Sequence, residues 1–182
     1  MITKILIVVD MQEDFVNGEL GTPEAKAIAP RIKEYAEKFE GRIYFTRDTH
    51  YGDYLKTQEG KNLPIKHCII GSVGWEIVPE LNGINHVNIN KSRFASIPLA
   101  QRISYYSDLC EEDGEEIKVY ICGVCTDICV VSNALVIKAF APEVEISVIK
   151  DLCAGTSPEK HDAALKVMES CQINIIESEI ES

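Results

Sequence analysis

The stretch Glu116-Ile-Lys-Val-Tyr-Ile-Cys-Gly-Val-Cys-Thr-Asp-Ile-Cys-Val-Val131 decides the fold of this 182-residue chain. Its first part, from Ile117 to Ile121, is a short apolar run rich in β-branched residues and predicts a buried strand. Gly123 then permits a sharp turn, and Thr126 is a candidate N-cap for the segment that follows. The density of apolar residues after this point predicts a mostly buried helix that ends at about Phe140.

Cys129 is the candidate nucleophile of this stretch. With Thr126 as the N-cap, Cys129 would lie in the first helical turn, where unpaired N–H groups and the helix dipole favour a thiolate. A strand, a tight turn and a nucleophile at a helix start also describe the elbow of serine hydrolases, with sulfur here in place of oxygen. Cys122 and Cys125 form a C-x-x-C pair, which also admits a redox or zinc function, although no second pair is present to complete a zinc site.

Length, charge and cysteine usage limit the class of protein. The 182 residues suffice for a single domain over residues 1–182 and are too few for two comfortable ones. A net charge of −11 argues against nucleic acid or an anionic membrane as a partner. No segment approaches the length of a membrane span, and the apolar run before Asp10 lacks the cleavage site of a signal peptide. We therefore expect a cytoplasmic protein whose seven cysteines are reduced.

Strand-like and helix-like segments alternate along the rest of the chain. This alternation predicts an α/β fold, a three-layer sandwich in which a six-stranded, mostly parallel sheet carries helices on both faces. The segment 51–75 shows no period, so we predict a long functional loop there. The remaining predicted elements are strands over 4–9, 42–46, 87–89, 144–149 and 173–176, and helices with Pro30 in the first turn, over 97–106, and after the Ser157-Pro158 pair.

Polar side chains follow the ends of several predicted strands. Ligands of parallel sheets bind beyond the carboxyl ends of the strands, so we expect these side chains to lie close together. Taken singly, Asp10 would be a surface turn residue and Lys91 a solvated lysine. Together with Cys129 they predict catalysis, because Lys91 would lower the pKa of the thiol and Asp10 would act first as a base and then as an acid. The polar residues at these strand ends are Asp10, Asp48 with His50, Lys91, Cys129 and Asp151.

A series of motifs in a fixed order covers essentially the whole chain. In these motifs the chain resembles the isochorismatase-like cysteine hydrolases, and within them the nicotinamidase branch. The departures from that branch are Thr49, where an aromatic residue is frequent, Leu63-Pro64-Ile65 in place of a tryptophan-containing approach to the second His, and Glu13 in a place usually held by Asn. The motifs are VVDMQEDF (8–15), DTH (48–50), PIKHC (64–68), GSVGWE (71–76), KSRF (91–94), GVCTDIC (123–129) and DLCA (151–154).

The resemblance implies an activity and a set of site residues. It implies the isochorismatase-like hydrolase fold and hydrolysis of the small amide nicotinamide to nicotinate and ammonia, a reaction of NAD salvage, through a cysteine thioester. The protein would act as a homo-oligomer of two or more chains. The implied residues are a catalytic triad of Asp10, Lys91 and Cys129, metal ligands at Asp48, His50 and His67, a cis peptide bond between Val124 and Cys125, and an oxyanion hole made by the backbone N–H groups of Cys125 and Cys129.

The metal ligands and the substrate walls each have a simpler alternative. Asp48, His50 and His67 offer a carboxylate and two imidazoles, but their spacing alone is explained as well by a His–Asp hydrogen bond in the loop. The resemblance favours one divalent metal ion, zinc first, with iron(II) and manganese also fitting this ligand set. Phe15 and Trp75 are candidate aromatic walls for a flat ring, and ordinary core packing is the alternative for both.

Three functions remain open from the sequence. The first is a metal-containing nicotinamidase. The second is a related amidase for another small amide, such as an N-carbamoyl compound, whose relatives typically lack the metal ligands. The third is a non-catalytic binding or scaffold protein of the same fold, against which the intact triad argues. Cys129 argues against a true isochorismatase, which cleaves a vinyl ether and usually lacks this cysteine.

Overall fold

The computed structural model describes residues 2–112 and 114–179 of the chain. Within these ranges six strands alternate with six α-helices. The strands are β1 (Ile2–Val9), β2 (Arg42–Asp48), β3 (Val87–Lys91), β4 (Glu116–Val124), β5 (Glu145–Ala154) and β6 (Asn174–Ile176). The helices are α1 (Glu13–Val16), α2 (Pro23–Lys38), α3 (Gln58–Asn62), α4 (Ile97–Glu112), α5 (Val131–Phe140) and α6 (Pro158–Ser170).

The six strands form one parallel sheet in the order β3-β2-β1-β4-β5-β6. Helix α2 packs against β4 and β5, whereas α4, α5 and α6 lie side by side over the other face. The predicted α/β sandwich with a six-stranded parallel sheet is therefore confirmed. The chain leaves β1 toward one edge of the sheet and β4 toward the other, so a crevice opens between their carboxyl ends.

Strand β1 forms the centre of the core. The side chains from Ile5 to Val9 are fully buried because the sheet covers both edges of this strand and helices cover both of its faces. Burial of each such aliphatic side chain contributes about 1.5–3 kcal/mol. Val9 pairs with Thr46 on β2 and with Gly123 on β4. Asp10, the next residue, therefore leaves the sheet between the ends of two neighbouring strands.

Helix α2 begins earlier than the sequence predicts. It begins at Pro23, where the Thr22 side chain accepts a hydrogen bond from the backbone N–H of Ala25. The prediction that Pro30 lies in the first turn was wrong, because Pro30 is inside the helix. Pro30 lies on the exposed face, where the carbonyl group that loses its partner can reach water.

Two further predictions need correction. The segment 51–75 is not entirely a loop, because it contains α3 and 3₁₀ turns at Tyr54–Lys56 and Val73–Trp75. Strand β5 continues to Ala154 instead of ending at Ile149, which places Asp151 inside the strand and not beyond its end. In the described part of the chain, no helix combines the length and apolar character needed to cross a membrane.

Candidate active site and metal centre

The turn that follows β4 positions the candidate nucleophile. Gly123 has a φ of +112°, and a Cβ atom there would lie 2.2 Å from the carbonyl oxygen of Val9, so the close approach of β1 requires glycine. The peptide bond between Val124 and Cys125, which follows shortly after, is cis, as the resemblance implies. A π-helical turn over Thr126–Val130 then leads into α5 and carries Cys129.

The cap of this turn differs from the predicted one. Cys125 is the N-cap residue, and its carbonyl accepts hydrogen bonds from the N–H groups of Ile128 and Val130, both at 3.0 Å. Thr126 is fully buried, and its hydroxyl lies 2.8 Å from Nδ1 of His161. The Thr126 side chain is thus engaged by α6 and does not cap the helix, although Cys129 still lies in the first turn.

Three strands bring Asp10, Lys91 and Cys129 together. Lys91 is the last residue of β3, and its Nζ lies 2.6 Å from Oδ2 of Asp10 and 3.5 Å from Sγ of Cys129. The other carboxylate oxygen of Asp10 accepts a hydrogen bond of 2.6 Å from the hydroxyl of Thr46. All three residues are buried. The arrangement can therefore exchange a proton between sulfur and carboxylate beside a fixed cation.

The electrostatics of this group correct one expectation. Burial raises the pKa of the Cys129 thiol well above its ordinary value, the charge of Asp10 raises it further, and Lys91 only partly opposes them. Lys91 thus acts in the predicted direction, but burial outweighs it and the net shift of the Cys129 pKa is upward. Burial also raises the pKa of Asp10, and it does so in spite of Lys91. Burial alone would lower the pKa of Lys91, but Asp10 and its other neighbours raise it, so the ammonium keeps its charge.

A second group of side chains can converge on a metal ion. Oδ2 of Asp48 lies 2.9 Å from Nε2 of His50 and 3.6 Å from Nε2 of His67. Glu59 on α3 adds a second carboxylate, and the four ligand atoms all lie within 4.8 Å of one another. Nδ1 of His67 lies 2.8 Å from the carbonyl oxygen of Ile65, which leaves Nε2 toward the group, as in many metal sites. Two imidazoles and two carboxylates at this spacing fit a divalent ion.

Sequence reasoning missed Glu59 and Gln12. Glu59 lies in the segment predicted as a loop, and no spacing rule separates it from Asp53, the other acidic residue there. Gln12 is fully buried, and its side-chain amide binds the backbone of Asp48 through both polar atoms, accepting from N–H at 2.7 Å and donating to the carbonyl at 2.8 Å. The one available signal was the position of Gln12 two residues after Asp10. Asp48 in turn contacts Lys91, with Oδ1 at 3.6 Å from Nζ, and so links the two groups.

Members of both groups line one cavity of about 740 Å³. The cavity is lined by Cys129, Asp48 and His67 and by the aromatic ring of Phe15, which lies 5.4 Å from the His67 ring. Trp75 is held elsewhere, with its ring 3.8 Å from the Arg47 guanidinium and its Nε1 donating to the Thr49 hydroxyl. The apolar part of the wall consists of Phe15, Leu20, Leu63, Phe94 and Ile128.

Asp151 does not join the other polar residues. Its Oδ2 pairs with the guanidinium of Arg31 at 2.5 Å, and it accepts two hydrogen bonds from Ser178. It ties β5 to α2 and to the segment after β6. All seven cysteines are free thiols, including the Cys122–Cys125 pair.

Comparison with known proteins defines the class. Residues 4–180 match the model of the isochorismatase domain, so the chain belongs to the isochorismatase domain family and is a hydrolase, as the motifs indicate. The nicotinamidase of Schizosaccharomyces pombe is 24% identical over an alignment of 207 residues, which covers 94% of this chain and 91% of the relative.

Two solved structures have a similar fold. The pyrazinamidase of Pyrococcus horikoshii, solved in complex with zinc, is 32% identical, has a TM-score of 0.78, and is matched over 96% of this chain and 98% of its own. The N-carbamoylsarcosine amidase of Thermoplasma acidophilum is 21% identical, with a TM-score of 0.73 and a coverage of 99% of both chains. At this lower identity the likeness shows the fold alone.

Proposed function

We propose that this chain is a nicotinamidase, which hydrolyses nicotinamide to nicotinate and ammonia. The observation that carries the proposal is the single cavity that receives both Cys129, with its Asp10–Lys91 pair, and the metal-ligand group of Asp48 and His67. The similarity to a zinc-containing pyrazinamidase and to a nicotinamidase supports this choice over an amidase for N-carbamoyl compounds.

The first half of the proposed reaction forms a thioester. Asp10 accepts the thiol proton of Cys129 while the sulfur attacks the amide carbon. Burial raises the pKa of the Asp10 carboxyl and so makes its carboxylate a stronger base for a thiol whose pKa is also raised. Lys91 remains an ammonium and balances the negative charge. The N–H groups of Cys125 and Cys129 would stabilise the oxyanion. Asp10 then returns the proton to the departing nitrogen, the C–N bond breaks, and ammonia leaves.

The second half releases the acid. Asp10 accepts a proton from a water molecule as its oxygen attacks the thioester carbon. The C–S bond of the resulting intermediate breaks, and the Cys129 sulfur recovers a proton from Asp10. The carboxylic acid product leaves, and both residues return to their starting protonation states.

The metal-ligand group would fix the orientation of the substrate. Asp48, His50 and His67, with Glu59 beside them, would hold the ion, and zinc, iron(II) and manganese all suit this set of donors. A bound ion would supply a Lewis-acid site for the pyridine nitrogen. Phe15 would form an apolar wall for the ring, so that the carboxamide is directed toward Cys129.

A comparison of three amides tests this function. We expect ammonia release from nicotinamide and from pyrazinamide, which keeps a ring nitrogen at the equivalent position, and a much lower kcat/KM for benzamide, which has none. The metal content should be measured on the same sample. If benzamide equals nicotinamide, or if all three fail while an N-carbamoyl amide reacts, the nicotinamidase assignment is wrong.

A further inference from the structure

Arg93 differs from every other arginine of the chain. Within residues 2–112 and 114–179, Arg93 forms no ion pair, hydrogen bond or ring contact with another residue. The partners of the other four arginines are Asp151 for Arg31, Tyr106 for Arg42, Trp75 and Glu76 for Arg47, and Tyr44 for Arg102. In a chain of 29 acidic and 18 basic residues, an arginine without any partner among the described residues requires an explanation.

Arg93 lies on the wall of the cavity that contains Cys129. It follows Lys91 by two residues, at the carboxyl edge of the sheet, and its neighbours Ser92 and Phe94 line the same cavity. Among the described residues that form the wall, Arg93 supplies the one Lys or Arg side chain. It is exposed whereas Cys129 is buried, so the guanidinium belongs to the outer part of the cavity.

The local charge of Arg93 and the size of the cavity favour an anionic ligand group beside this residue. A protein with a net charge of −11 repels anions at long range, and an unpaired guanidinium provides a local positive charge. The planar guanidinium can donate two parallel N–H hydrogen bonds to the two oxygens of a carboxylate. The volume of about 740 Å³ also lies within the range of roughly 300–1,000 Å³ that holds drug-sized ligands, and so exceeds the needs of one pyridine ring.

We propose that Arg93 is a specificity-determining residue that binds a carboxylate carried by the substrate on the side away from the amide. The inference rests on the proposed function in one respect, namely that Cys129 attacks the amide. The preferred substrates would then be aromatic amides with an additional carboxylate, and nicotinamide would be a substrate that leaves Arg93 without a partner.

The activity test compares nicotinamide with pyridine-3-carboxamides that carry a carboxylate or an acetate group at ring position 5. The quantity of interest is the ratio of kcat/KM for the acidic amide to that for nicotinamide. Arg93→Met keeps an unbranched apolar stem and removes the guanidinium with its charge, so we expect this ratio to fall about tenfold or more, mainly through KM, since a hydrogen-bonded charge contributes about 1.5–3 kcal/mol. Arg93→Lys should give an intermediate ratio. The matched control is Arg102→Met on α4, which should leave the ratio unchanged.

A binding test separates this inference from the proposed function. Benzene-1,3-dicarboxylate and benzamide are compared as protectants of the Cys129 thiol against iodoacetamide, which requires no turnover. We expect the half-protecting concentration of the dicarboxylate to rise about tenfold in Arg93→Met and to stay constant in Arg102→Met. If wild type hydrolyses no pyridine amide but this shift occurs, the nicotinamidase proposal fails and the Arg93 site stands. If neither the protection nor the activity ratio depends on Arg93, the residue is a solvated surface arginine and the inference is overturned.

Discussion

Nζ of Lys91 lies 2.6 Å from Oδ2 of Asp10, and neither side chain is accessible to water beyond 2%. An isolated charge in such a place would be very unfavourable, so each partner depends on the other. Because Asp48 also contacts Lys91, the site contains two carboxylates for one ammonium. Burial is the main cause of the raised pKa of the Cys129 thiol, and this excess of negative charge raises it further.

We expect Lys91→Met to abolish turnover and to raise the pKa of Cys129 further, because the variant removes a cation that lies beside the thiol. Breaking a buried pair should also cost about 3–5 kcal/mol of stability, less whatever protonation of Asp10 recovers. The rate of Cys129 alkylation by iodoacetamide as a function of pH reports the thiol pKa. Lys118→Met, which breaks an exposed pair with Glu145, is the control. An unchanged alkylation profile would mean that Lys91 does not act on the thiol.

Cys129→Ala should lose activity by several orders of magnitude while the fold remains intact, because the variant removes only the sulfur that attacks the substrate. Ammonia release and the thermal unfolding midpoint, measured on the same preparation, check both parts. Cys110→Ser on α4 should retain activity, and Cys122→Ser and Cys125→Ser should lose far less than Cys129→Ala. Turnover by purified Cys129→Ala at the wild-type rate would exclude the mechanism. Activity that follows the oxidation state of Cys122 and Cys125 would instead restore the redox interpretation of that pair.

The order and type of most elements were predictable because local signals agree with the tertiary structure. The buried run ending at Val9 predicts β1, and the Ser157-Pro158 pair predicts the start of α6, where Ser157 does accept a hydrogen bond from the N–H of Lys160. Pro30 misled the prediction of α2, because proline is commonest in a first helical turn but is tolerated where the freed carbonyl is solvated. Thr126 misled the prediction of the cap, because a partner 35 residues away engages its hydroxyl.

The convergence of Asp10, Asp48, Lys91 and Cys129 was also predictable, because parallel strands place their carboxyl ends at one edge. The raised pKa of Cys129 was not predictable from the sequence, because desolvation depends on burial in three dimensions and no local sequence pattern reports it. The proposed roles of Glu59, Gln12 and Arg93 were not predictable either, because each depends on the contacts that the side chain makes, or does not make, in the folded protein.

His50→Ala and His67→Ala should each lose bound metal, because each removes one of the imidazoles that converge with Asp48. Elemental analysis of the purified variants measures the metal-to-protein ratio, and removal of the metal from wild type by a chelator should lower activity in the same way. His86→Ala is the matched control, because His86 stacks on Phe45 at 3.9 Å and lies outside the ligand group. Stoichiometric metal in both His50→Ala and His67→Ala would exclude this site.

Glu59→Gln tests the ligand that the sequence did not predict. Its carboxylate oxygen lies 3.5 Å from Nε2 of His50 and 3.7 Å from Nε2 of His67, close enough to share an ion with them. We expect weaker metal binding, by about 10–100-fold if Glu59 acts on the ion only through these histidines and by more if it is a ligand. Competition with a fluorescent zinc chelator measures the affinity. If Glu59→Gln binds the metal with the same affinity as wild type, the Glu59 carboxylate does not contribute to metal binding.

Asp151 should make the free energy of unfolding depend on pH in the acidic range. Burial would raise the pKa of this carboxyl, but the hydrogen bonds from Ser178 and Arg31 together hold it below its ordinary value of 3.8. A carboxyl group whose pKa is lower in the folded than in the unfolded state stabilises the fold above its unfolded pKa and loses that contribution as the pH falls through the folded pKa. We therefore expect Asp151→Asn to be less stable than wild type at neutral pH, with a difference that narrows below pH 3.8.

Urea unfolding of both proteins between neutral pH and about pH 3 measures this difference. Asp108→Asn, an exposed substitution on α4, controls for the loss of one negative charge from an acidic protein. The Arg31→Met variant removes one partner of the same carboxylate and should give a smaller loss with the same pH dependence, since the two Ser178 hydrogen bonds remain. A difference between wild type and Asp151→Asn that stays constant down to pH 3 would mean that packing, and not the ionised carboxylate, accounts for the contribution of Asp151.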